Sequence, residues 1–231
     1  MRLRSNLQRV LVGLLLFLLT ACSSGGGTPT ATPWVANAKL PGEIIYLDGW
    51  EDGMYLCLIL PDRSNLRCEP LGEQTAMEFT WSADGSRVAY LLQPLADVLT
   101  EVWVADPADL KSAQRILGPN ADYPSAPTLS MDGRWLVVEA RSLEGGSSDL
   151  MSVDLTATGT VTPIVAANTQ YNETSPVFSP AAMRLLFISD RVEAGATTLK
   201  VYAANLDGGD LQRLTPAEGV DCFAPAWSPD G

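Results

Sequence analysis

Trp81-Ser82-Ala83-Asp84-Gly85 returns three times in the chain: as Leu129-Ser130-Met131-Asp132-Gly133, as Phe178-Ser179-Pro180-Ala181-Ala182 and as Trp227-Ser228-Pro229-Asp230-Gly231. The spacings are 48, 49 and 49 residues, a period that marks a repeat architecture. The same order of features follows each complete instance. An apolar run comes first (Arg87 to Leu92, Trp135 to Glu139, Leu185 to Ile188), then a second (Val102 to Ala105, Leu150 to Val153, Leu199 to Ala203). A turn at Asp106, Asp154 or Asp207 and a short closing strand such as Gln212 to Thr215 complete the unit. No helical period is sustained anywhere, while Asp-Gly, Pro-Asp and Ser-Pro punctuate the apolar runs. Four short strands in about 45 to 50 residues is the size of a propeller blade. The expected fold is therefore all-β: a β-propeller of four-stranded antiparallel blades, with about four repeats present.

The motif assigns structural roles position by position. Asp84-Gly85, Asp132-Gly133 and Asp230-Gly231 each supply a tight hairpin turn, because glycine takes positive φ freely and aspartate bonds the backbone beside it. Trp81, Phe178 and Trp227, three residues ahead of the aspartate position, are expected between adjacent blades. Pro127, Pro176 and Pro225 sit two residues further back, which predicts the start of a short strand and not its centre. The third repeat has Ala181-Ala182 where Asp-Gly is expected, so its turn must be built another way.

At these residues the chain resembles the WD40-like propeller repeat of the TolB family, whose pattern is Pro-x-Trp-Ser-Pro-Asp-Gly, two hydrophobic strands and a closing Leu-Thr. Pro225 to Gly231 is the best match, and Leu206-Asp207-Gly208 and Leu214-Thr215 match the later elements. The resemblance spans Gly42 to Gly231, with blades expected near 42–72, 79–117, 126–166 and 175–216. Residues 222–231 read as the start of another blade or as a strand closing the first, which lacks its own first strand. Family members usually have six or more blades, so a truncated or incomplete propeller is expected ahead of a closed four-bladed ring. The resemblance implies architecture and leaves function open, since the repeat occurs in periplasmic scaffolds, in surface lipoproteins and in propeller domains of serine peptidases.

The amino terminus adds a location. Arg2, Arg4 and Arg9 precede an apolar run from Val10 to Leu19, the layout of a secretory signal over residues 1–21. Such a run covers only about half of a ~30 Å hydrocarbon core. Leu19-Thr20-Ala21-Cys22 resembles the lipobox of bacterial lipoproteins, which implies diacylation of Cys22 and a membrane partner through that lipid. Residues 22–41, rich in Gly, Ser, Thr and Pro, read as a tether. The expected location is the outer face of the cytoplasmic membrane or the outer membrane. Ser23 in place of aspartate argues against inner-membrane retention where the cell has two membranes.

Composition narrows the chemistry. Without residues 1–21 the chain keeps 12 basic against 27 acidic side chains, a charge of −15 that offers nucleic acid no footprint. Histidine is absent, which removes the base of Ser-His-Asp and Cys-His catalysis and the favoured zinc ligand. There is no Gly-x-Ser-x-Gly elbow and no phosphate-cradling loop. No catalytic residue, metal ligand or cofactor is expected; Asp84, Asp132, Asp207 and Asp230 lack the dense spacing of a calcium loop and read as turn formers. Cys57 and Cys68 fall on two arms of a hairpin around Pro61 to Ser64, either as a cross-strand disulfide or as two reduced, buried thiols. Cys222 has no evident partner. Trp34, Trp103 and Trp135 read as packing residues, with Trp50 the candidate for a ligand platform. Two functions stay open: a non-catalytic surface propeller engaging a protein, peptide or glycan, and the propeller portion of a larger serine-peptidase-type enzyme.

Overall fold

The computed structural model describes residues 42–50, 53–94, 99–118, 123–141, 146–157, 161–164, 170–191 and 198–231. Cys22, the signal, the tether and Trp34 lie outside the described residues, as does the side chain of Trp50. Among the described residues all regular structure is strand. Sheet one is a three-stranded meander of β1 (Ile44–Trp50), β2 (Gly53–Ile59) and β3 (Arg67–Gly72). Sheet two runs β4 (Gln74–Trp81), β5 (Val88–Pro94), β6 (Glu101–Asp106) and β7 (Asp109–Leu117). Sheet three contains β8 (Tyr123–Leu129), β9 (Trp135–Arg141), β10 (Ser148–Asp154) and β11 (Val161–Pro163). Sheet four contains β12 (Glu173–Phe178), β13 (Arg184–Ser189), β14 (Lys200–Asn205) and β15 (Gln212–Arg213). Within each sheet every strand pairs antiparallel with its neighbour in sequence, so each sheet is a four-stranded meander except the first, which has three strands.

The repeat motif builds the first hairpin of each complete sheet. In sheet two the Ser82 hydroxyl donates to Asp84 Oδ1 at 2.7 Å, the Ser86 amide reaches the same oxygen at 2.9 Å, and the Arg87 amide closes the loop on Ser82 Oγ at 3.0 Å. Ser130, Asp132, Arg134 and Trp135 repeat this network in sheet three. In sheet four the missing carboxylate is replaced by the serine itself, whose Oγ accepts the amides of Ala181 and Ala182, each at 3.2 Å. A second aspartate turns the chain between the last two strands: Asp106, Asp154 and Asp207 each accept the amide two residues on.

The prolines are placed differently from the sequence expectation. Pro127 and Pro176 stand inside β8 and β12, because each first strand carries a bulge there, with register breaks at Met77/Thr80, Ser125/Thr128 and Thr174/Val177. A bulge takes its residues out of the ladder, so a missing N–H costs nothing at that point. The residue three before the motif's first position is left-handed in every repeat: Glu78 (φ 53°), Ala126 (45°), Ser175 (53°) and Ala224 (49°).

Packing between sheets forms three separate cores. Leu56, Leu58, Val88, Tyr90 and Leu92 join sheets one and two; Leu91, Val102, Leu136 and Val138 join two and three; Val137, Leu150, Leu185 and Phe187 join three and four. Trp81, Leu129 and Phe178 each lie in the core shared with the preceding sheet. A polar latch recurs from the start of each third strand to the next first strand. Thr100 Oγ1 donates to the Pro124 carbonyl, the Ser148 amide to Asn172 Oδ1, and the Leu199 amide to Asp221 Oδ1. Residues 222–231 form no strand and do not pair with β1; Cys222 N donates to the Leu199 carbonyl and Trp227 Nε1 to Val177 on β12.

Candidate functional site

A groove of about 770 Å³ lies between sheets three and four, at the end where the motif turns lie. Its apolar surface comes from Trp135, Pro163, Met183 and Leu206, and its polar surface includes Arg184, Asn205 and Asp207. The local fold explains each position. Trp135 opens β9 directly after the Asp132 turn, Met183 ends the Ser179 turn, and Leu206 and Asp207 form the turn between β14 and β15. Pro163 closes the edge strand β11, which is anchored when the Ser152 hydroxyl donates to the Thr162 carbonyl. Arg134 lies 5.2 Å from the centre of the Trp135 ring and is itself held by Asp154 at 2.7 Å, so a guanidinium covers one face of the indole. The volume falls within the ~300–1,000 Å³ of ligand-sized pockets.

A second group of polar residues is committed to structure. Glu173 is fully buried and accepts at Oε1 from Ser189 Oγ and from Nε and Nη2 of Arg191, whose guanidinium lies over Phe187 and Tyr202. Lys200 is 3% exposed and directs Nζ to the carbonyls of Val220 and Glu218. Nearer the first strands, Glu78 accepts the Ala126 amide at 2.6 Å and Glu139 accepts that of Ser175 at 3.3 Å. These two carboxylates bond the left-handed residues of the following sheet. Burial pushes the Glu139 carboxyl above the usual range, and the charge of Glu78 adds to that.

The residues named from sequence are placed as follows. Cys57 and Cys68 stand opposite each other on β2 and β3 and form a disulfide. Cys222 is a free, half-buried thiol. Asp84, Asp132 and Asp230 have carboxyls held below the ordinary range, chiefly by the hydroxyls of Ser82, Ser130 and Ser228. Among the described residues no group of three or more His, Cys, Asp or Glu side chains is arranged to hold a metal ion. Gly133 packs against Ser86 and Arg87, and Gly231 against Ala181, so successive motif turns stack on one another. Trp103 donates to Glu101 at 2.9 Å. Trp135 is both a packing residue and a groove wall, a double role its sequence context does not signal.

No protein-family model and no curated protein matches the chain. Solved structures do. TolB from Acinetobacter baumannii superposes with a TM-score of 0.55 at 18% identity, over 78% of this chain and 43% of that one. A structure described as TolB from Agrobacterium tumefaciens gives 0.56 at 20% identity, over 75% and 61%. The chain has a TolB-like β-propeller fold. It spans less than two thirds of the length of either TolB structure. Prolyl oligopeptidase B from Galerina marginata also matches, with a TM-score of 0.61 at 14% identity over 86% of this chain and 28% of that one. At these identities the likeness concerns the fold.

Proposed function

We propose that this chain is an exported, lipid-anchored binding propeller that engages a protein, peptide or glycan of the cell envelope without turning it over. The observation that carries this reading is the groove between sheets three and four, open and largely apolar on a scaffold whose motif aspartates Asp84 and Asp132 are bonded internally. Binding sites combine an apolar concavity with a few placed polar groups, and this groove has that composition. The lipobox at Cys22 and the tether to residue 41 support display at a membrane surface. Two measurements test it. Radiolabelled palmitate should enter the wild-type chain and not a Cys22→Ala variant. Affinity capture from envelope extract should recover a partner above a heat-denatured control, and an empty capture counts against binding.

A second reading is favoured by the prolyl oligopeptidase likeness, which covers most of this chain but only 28% of that one. In that case the chain is the propeller portion of a larger peptidase. A Gly-x-Ser-x-Gly motif and a later histidine in the reading frame beyond residue 231 would establish it, and a stop codon there would remove it.

A further inference from the structure

We propose that the groove between sheets three and four takes an extended peptide segment of a partner protein, one that presents an apolar side chain beside a lysine or arginine. The inference deepens the binding reading above and rests on it. Four apolar residues, Trp135, Pro163, Met183 and Leu206, offer a surface for one large side chain, and Met183 is 38% exposed without a ligand. A thioether beside an indole adapts to many apolar shapes.

Polar capacity beside this surface is left over. Among the described residues the Asn205 side-chain amide bonds no protein group, and the Asp207 carboxylate meets only the backbone amide of Gly209. A side-chain amide supplies both a donor and an acceptor, which matches the main chain of a peptide bond. Among the described residues Asp207 is the rim carboxylate without a cation: Asp154 is taken by Arg134, and the groove's own cation, Arg184, is committed to Asp210 at 3.0 Å. A basic side chain of the occupant would complete that pairing. The chain's net charge of −12 acts in the same direction, drawing cationic segments and repelling anionic ones.

The wall of the groove also favours an extended backbone. Thr162 and Pro163 belong to β11, a three-residue edge strand that pairs with β10 alone among the described residues. Thr162 faces β10, so the free edge presents the N–H and carbonyl of Val161 and the carbonyl of Pro163, which has no N–H; a short extended peptide can bond these and direct a side chain into the groove.

The test uses the full chain in detergent micelles at low salt and isothermal titration with a synthetic probe, acetyl-Ser-Leu-Lys-Phe-Lys-Ser-amide. Two control peptides replace both lysines by glutamate, or Leu and Phe by serine. The expected result is saturable binding of the probe and at least about tenfold weaker binding of both controls, equivalent to roughly 1.4 kcal/mol or more. Met183→Lys should weaken the probe by a similar factor. Asp207→Asn keeps the turn geometry, so it guards against misfolding; it should weaken the lysine probe about threefold or more and leave a glutamine-substituted probe unchanged. Lysine and glutamate probes binding within twofold of each other would overturn the proposal. So would a probe that binds wild type and both variants alike, although that result leaves the chain a binding propeller with its site elsewhere. An empty capture from envelope extract would instead remove the broader reading.

Discussion

Gly133 shows how closely the repeats are stacked. Its φ of +64° lies in the left-handed region, and a Cβ there would stand 2.7 Å from Ser86 Oγ and 3.2 Å from the Arg87 side chain. Gly85 has a similar φ of +72° but nothing within 4 Å. Substituting alanine at Gly85 should therefore cost only the backbone penalty of about 1–2 kcal/mol, whereas Gly133→Ala adds a collision and should cost more. Urea denaturation of the two variants measures the difference, and equal losses would mean that the turns do not press on one another. The motif aspartates make a second prediction at this scale. Ser82 and Ser130 hold the carboxyls of Asp84 and Asp132 below their ordinary values, so that stability is present above about pH 4 and is lost as pH falls through the lowered values. Glu139 works the other way: burial raises its carboxyl, so its ionisation removes stability as pH rises from the ordinary value to the raised one. Unfolding midpoints should fall below about pH 4, and Ser130→Ala should flatten the decline.

At the level of the element, the disulfide and the bulge each lead to a measurable expectation. Cys57 and Cys68 are 11 residues apart and staple β2 to β3 in the sheet that has only three strands. Loop-closure entropy gives such a cross-link about 2–3 kcal/mol. A Cys57→Ala, Cys68→Ala double variant should lose that amount and let sheet one exchange its amide hydrogens first. The bulge is tested at Ala126, where φ is 45°. A β-branched residue is poorly accommodated in that region, so Ala126→Val should destabilise by about 1–3 kcal/mol, while Ala126→Gly should stay within about 1 kcal/mol of wild type. Both changes are read from thermal melts. These elements also mark what the sequence discloses. The repeat is legible because Trp-Ser-x-Asp-Gly encodes a turn in side-chain chemistry, and Ala181-Ala182 is visible as a departure. That the Ser179 hydroxyl would fill the gap is a matter of three-dimensional direction. The left-handed positions are hidden, because Glu, Ala, Ser and Ala share no residue type that announces them. The groove is hidden for another reason: Trp135, Pro163, Met183 and Leu206 span some 70 residues and meet only when two sheets pack.

For the molecule as a whole, stability resides in interfaces between successive sheets, each with its own apolar core, and the polar latch joins sheets two to three, three to four and four to the terminal segment. Such arrays behave as nearest-neighbour chains of units. Leu136 is fully buried between sheets two and three. Leu136→Ala should cost about 2–5 kcal/mol, and hydrogen exchange should quicken in those two sheets well before it does so in sheet one. Uniform acceleration over all four sheets would show that the array unfolds as a single cooperative block.

The terminal motif gives the left-handed bulge a further meaning. Ala224 keeps φ at 49° and Gly231 N still bonds the Ser228 carbonyl, although residues 222–231 belong to no ladder. The kink therefore accompanies the motif without a ladder of its own, held against sheet four by Trp227 on the Val177 carbonyl and by Gly231 on Ala181. One completed sheet is thus enough of a mould for the entry into the next, and each copy of the motif carries its own means of being cast. A propeller of this kind can lengthen by one unit without remaking the units already in place.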